Sequence, residues 1–101
     1  MGIIVCRLIV HFLLRYSMAH KPEKEQVLKD LGKSIRAARK ALGLTQEELA
    51  SVAELDRSYI GGIERGERNI SFTVLWKLSK VLERNIGDLT KNINGGTSES
   101  E

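Results

Sequence analysis

Between Val27 and Leu89, apolar residues return at intervals of three and four almost without a break. No segment alternates with period two over the length of a strand, so the pattern admits helices only and the expected fold class is all-α. Leu28, Leu31, Ile35, Ala38 and Leu42 form one stripe, which places helix 1 over about Val27 to Leu42 with Lys29, Lys33, Arg36 and Lys40 on the other face. Gly43 supplies the left-handed residue that ends it. Thr45 and Glu48 have capping-box spacing at the start of helix 2, where Leu49 and Ala53 face inward and Ala50 lets a neighbour come close. Asp56 caps helix 3, which runs to about Arg65 with Ile60 and Ile63 buried and Gly66 as its stop. Ser71 caps helix 4, whose inward stripe is Leu75, Leu78 and Leu82. Asn85 or Gly87 opens a short helix 5 carrying Ile86, Leu89 and Ile93.

The 101 residues are room for one domain. Three parts separate by composition: an N-terminal extension at 1–26 (apolar to residue 17, then a polar linker at 18–26 holding the only proline, Pro22), the helical domain at 27–91, and a Gly/Ser/Glu tail at 92–101 expected to be flexible. As a helix, Gly2 to Tyr16 would be about 22 Å long, short of a bilayer's roughly 30 Å. Arg7, His11 and Arg15 recur at spacing four and would draw one basic stripe along an otherwise apolar rod. A signal peptide carries its charge before the apolar run, whereas Arg7 lies inside it, although Ser17-Met18-Ala19 weakly resembles a cleavage site. The opening Met-Gly lacks the hydroxyl residue of a myristoylation signal; Cys6 stands there instead. Three readings of this segment stay open: a dispensable extension ahead of a start at Met18, a packing or dimerising helix, and a membrane or export element.

Composition narrows the chemistry. Cys6 is the only cysteine, which rules out an intramolecular disulfide and a zinc site built on cysteines. His11 and His20, the only histidines, fall outside the helical domain, and no nucleophile–base pair accompanies its carboxylates. The expectation is a protein that is not an enzyme and needs no cofactor or metal. Cytoplasmic life is the default, and no membrane partner is expected. The net charge of +3 and pI near 9.2 permit a nucleic-acid partner without demanding one. Locally, Val27 to Leu42 has five basic residues and one acid, net +4, while Gly43 to Ile70 has three basic and six acidic, net −3. The second stretch is no basic patch, so Glu47, Glu48 and Glu54 are expected to turn away from any DNA.

Two short helices joined by a tight turn, the second glycine-rich, suggest a helix-turn-helix. From Thr45 to Gly66, TQEELASVAELDRSYIGGIERG closely resembles the helix-turn-helix domain of the phage repressor/Cro (XRE) family. Leu44-Thr45-Gln46, Glu48-Leu49-Ala50, Ile60 and Ile63-Glu64-Arg65-Gly66 carry the resemblance, which extends over roughly Leu31 to Leu89. Leu55 to Ile60, followed by Glu64-Arg65-Gly66-Glu67-Arg68-Asn69, is most similar to restriction–modification controller proteins. The resemblance implies a five-helix, lambda-repressor-like domain that binds a pseudo-palindromic double-stranded DNA operator as a homodimer and regulates transcription, its own gene included. It also implies a division of labour. Gln46 would bond a phosphate at the amino end of helix 2. Helix 3 would enter the major groove, with Arg57 as the leading base reader and Ser58 beside it. Tyr59 would pack on the sugar-phosphate wall or at the core edge. Arg68 would contribute base contacts and Asn69 a phosphate contact. Arg39 and Glu64 match a structural ion pair between helix 1 and helix 3. An antitoxin-like module that binds protein, or a membrane-tethered regulator, are the alternatives; control would come from concentration or an unidentified protein antagonist.

Two departures from the family pattern stand out. Glu54 occupies a turn position that often holds glycine, so a different turn is expected there. Gly61 and Gly62 replace reading side chains in helix 3, which would let the helix sit close to the DNA backbone or leave part of the specificity to DNA shape. One such unit buries too little on DNA for tight binding, which favours two copies. Trp76, Val81, Ile86 and Leu89 exceed the needs of one small core, and are expected to form a symmetric interface with Trp76 at its edge. The other reading has Trp76 capping the monomer core.

Overall fold

A computed structural model describes residues 2–93, with side chains described for residues 6–13 and 23–93. The expected tail at 94–101 lies outside the described residues. Five helices follow in order: α1 (Gly2–Ala41), α2 (Gln46–Ala53), α3 (Arg57–Glu64), α4 (Phe72–Val81) and α5 (Ile86–Thr90). No strand occurs among the described residues.

The capping residues act largely as their chemistry dictates. Thr45 Oγ1 accepts from the Glu48 N–H at 3.0 Å, while Glu48 Oε1 accepts from the Thr45 N–H at 2.8 Å, a complete capping box. Ser71 Oγ accepts from the Val74 N–H at 3.2 Å, and Asn85 Oδ1 from the Asp88 N–H at 2.7 Å. Asp56 has the extended backbone of an N-cap, yet its side chain makes no capping bond.

One core joins all five helices. Ile35, Leu49, Ile60, Leu78, Leu82 and Leu89 are its largest fully buried side chains, each worth about 1.5–3 kcal/mol of apolar burial. α1 packs on α3 and α5, α2 on α3 and α4, and α4 on α5. Ile93 packs against this core, so the folded body continues two residues into what composition marked as tail.

Two expectations about α1 change, and one contact appears that the stripes do not mark. The helix does not begin near Val27; it is continuous from Gly2 and runs through Pro22 and the polar linker. Lys, Glu, Gln and Leu around that proline are strong helix formers, and polarity by itself breaks no helix. Leu42 is 41% exposed, because α1 stops at Ala41 and Leu42 already belongs to the turn before Gly43. Gly32 is buried where α1 crosses α3, and a Cβ there would lie 2.5 Å from the Glu64 carbonyl oxygen and closer still to that of Ile63. Nothing in the periodicity marked that glycine as the contact point.

Candidate nucleic-acid interface

The turn at residues 54–56 sets α2 against α3. Glu54 itself takes the left-handed conformation (φ 58°, ψ 45°), and the Leu55 N–H returns to the Ala50 carbonyl at 2.8 Å. The different turn expected at this position does not occur. Leu55 packs against the core, and that burial together with the closing bond outweighs a left-handed cost of about 1–2 kcal/mol. Glu83 (φ 59°) repeats the arrangement after α4, with the Arg84 N–H on the Ser79 carbonyl at 3.0 Å.

The carboxyl end of α3 is tied to both preceding helices. Glu64 Oε2 accepts from Arg39 Nε at 2.7 Å, and Oε1 accepts from Arg39 Nη2 and Gln46 Nε2, both at 3.0 Å. Arg39 Nη1 donates to the Leu44 carbonyl at 2.8 Å. Arg39 and Glu64 are both buried, and among the described residues no buried side-chain polar atom lacks a partner. The planar fork of an arginine bonded twice to one carboxylate fixes orientation as well as distance. Gln46 is thereby drawn into the pair's network; one amide hydrogen stays free for a further acceptor.

The amino end of α3 is the opposite case. Arg57 and Ser58 are exposed, and among the described residues neither side chain has a hydrogen-bond or ion-pair partner. Arg57 shares an open cleft of about 470 Å³ with Arg39, Leu44, Thr45, Gln46 and Glu47. The cleft therefore gathers the first residue of each helix, Gln46 and Arg57. Glu47, one of the carboxylates expected to turn away from DNA, lines this cleft. Glu48 is occupied by its capping bond, and Glu54 is exposed in the turn.

The remaining sequence candidates fall unevenly. Tyr59 is half-buried against the core and takes the core-edge position. Arg68 and Asn69 are exposed just beyond α3. Gly61 and Gly62 are buried beside arginine side chains, Arg65 at the first and Arg68 at the second. Arg65 also pairs with Glu67 at 3.1 Å on the surface.

A helix-turn-helix family model matches residues 35–89, more than half of the chain. The chain belongs to the helix-turn-helix family. This helix-turn-helix protein is 39% identical over 59 residues to the control protein C.SmaI of Serratia marcescens, a span of 58% of this chain and 70% of that one. It is similar to the crystal structure of the restriction-modification controller protein C.AhdI from Aeromonas hydrophila, at 45% identity and a TM-score of 0.60, over 61% of this chain and 94% of that one. It also matches the controller protein C.Esp1396I, solved as a tetramer in complex with its natural 35 base-pair operator, at 38% identity and a TM-score of 0.60, over 66% of this chain and 93% of that one.

α4 carries a second exposed feature. Trp76 is 52% exposed and Phe72, one turn earlier, 68%. Lys80 Nζ stands 5.3 Å from the Trp76 ring centroid, within cation–π range. A hollow of about 360 Å³ between Trp76, Lys80, Arg84 and Ile86 continues the patch. Val81 and Ile86 are half-buried against the core. Leu89 is only 2% exposed and is a core residue, so it is withdrawn from the expected interface. Phe72 is the exposed apolar neighbour of Trp76 instead, and its spacing of four from Trp76 on the face away from Leu75 and Leu78 was the available signal.

Proposed function

We propose that this protein is a sequence-specific, DNA-binding transcriptional regulator that acts in the cytoplasm and occupies a pseudo-palindromic operator as a homodimer, one such site lying upstream of its own gene. A single observation carries the reading. Arg57, unpartnered and exposed, opens α3 beside the amino end of α2, while the other end of the same helix is clamped. A fork held at the start of a rigid helix is suited to bonding guanine O6 and N7 together. Ser58 stands next to it as a second base contact, and Arg68 adds a third from beyond the helix. Gln46 and Asn69 would hold phosphates on either side, with Tyr59 limited to its ring edge. The likeness to restriction-modification controllers, one of them bound to operator DNA as a tetramer, supports the same reading. The exposed Phe72 and Trp76, with the flanks of Val81 and Ile86, supply the face for a second copy.

A titration against duplex DNA from the region upstream of its own gene, repeated at several salt concentrations, tests this. Saturable binding with a steep salt slope, weakened by about 1–3 kcal/mol in Arg57→Ala, is the expected result. Weak binding indifferent to both base sequence and Arg57 would overturn the reading. Light scattering tests the assembly: a monomer at micromolar concentration that DNA does not pair would end the dimer.

A further inference from the structure

Two adjacent glycines inside an eight-residue helix weaken it unless something uses the space they leave. On α3, residues four apart share a face, so Arg57, Gly61 and Arg65 form one row, and Ser58 and Gly62 form the next. The two glycines are not equivalent. A Cβ at position 61 would meet only movable tips, Arg65 Nη1 at 3.1 Å and Gln46 Oε1 at 3.7 Å. A Cβ at position 62 would lie 2.8 Å from Arg68 Cγ, 3.3 Å from Nε and 3.6 Å from Cδ, which is the middle of that side chain. The Arg68 stem therefore lies where a side chain at residue 62 would be. The backbone delivers it there: Gly66 is left-handed (φ 76°), and the Glu67 N–H bonds the Gly62 carbonyl at 2.9 Å.

We propose that Gly62 is a positioning residue for DNA recognition: its missing side chain seats Arg68 in the row begun by Ser58, so that this row's cationic reader comes from the turn behind α3. The proposal rests on the DNA-binding reading above. Gly61 has no such duty, which makes it the internal control.

The full-length chain is titrated with a duplex that the wild type itself selects from a random-sequence pool. Arg57→Ala serves as the reference, beside Gly61→Ala, Gly62→Ala, Arg68→Ala and the Gly62→Ala/Arg68→Ala pair. Gly61→Ala should bind within about twofold of wild type, and Gly62→Ala and Arg68→Ala should each bind about 5- to 100-fold more weakly. The double variant should be no weaker than Arg68→Ala, because both changes remove one interaction. It should also melt above Gly62→Ala alone, since removing the stem removes the clash; this melting arm holds even where Gly62→Ala folds poorly. Arg57-dependent binding alongside a Gly62→Ala that behaves like Gly61→Ala would overturn the seat and leave the DNA-binding reading intact. So would losses that multiply in the double variant, or a double variant that melts no higher than Gly62→Ala. Failure of the wild type to select any duplex would overturn both.

Discussion

The two ends of α3, Arg57 and Glu64, lie seven residues apart in the chain and obey opposite rules. At the carboxyl end, Glu64 is buried, accepts three hydrogen bonds and has Gly32 of α1 pressed against its backbone. At the amino end, Arg57 and Ser58 are exposed and have no side-chain partner among the described residues. A helix held at both ends would leave neither of these side chains free to meet a ligand. One held at neither would lose its angle to α2, and with it the placement of those side chains. The clamp at one end is what gives the loose arginine at the other a defined place to start from.

That contrast predicts a graded set of effects. Glu64→Ala removes the acceptor and strands the Arg39 guanidinium in the core, and should cost about 3–5 kcal/mol in a urea melt. A loss below 1 kcal/mol would mean that the clamp is ornamental. Gly32→Ala drives a methyl into two carbonyl oxygens of α3 and should lower stability by about 1–3 kcal/mol; a neutral result would show that α1 can yield at the crossing. Arg57→Ala should leave the melt within about 0.5 kcal/mol of wild type while weakening DNA binding by about 1–3 kcal/mol. Were stability to fall instead, the open end would be structural after all. Glu54→Gly relieves the left-handed turn and should raise stability by about 1 kcal/mol, with DNA affinity unchanged. Smallest of all, Glu47→Gln takes a carboxylate out of the cleft and should tighten DNA binding by a few tenths of a kcal/mol, most visibly at low salt.

Much of this was legible before any coordinates. The stripes and caps located α2, α3 and α4 to within a residue or two, because a capping box and a three-four repeat are local signals that need no partner to be read. The pairing of Arg39 with Glu64 came from the family resemblance, and their 2.7 Å contact is what such a pair looks like when buried. Two of the misses share a cause: they depend on what stands opposite. Gly32 is silent inside a good helical pattern until α3 lies across it. Leu89 and Trp76 are both apolar, and only the packing of α5 on α1 and α4 decides which one is inside. The length of α1 escaped because composition marks a change of solvent preference, and a helix can continue through such a change.

The two left-handed glutamates have a consequence beyond geometry. If each of Glu54 and Glu83 costs about 1 kcal/mol relative to glycine, together they enlarge the unfolded fraction roughly thirtyfold over a chain with glycine at both places. Proteases draw on that fraction, so the lifetime of the protein in the cell is set in part by the backbone conformation of two turn residues.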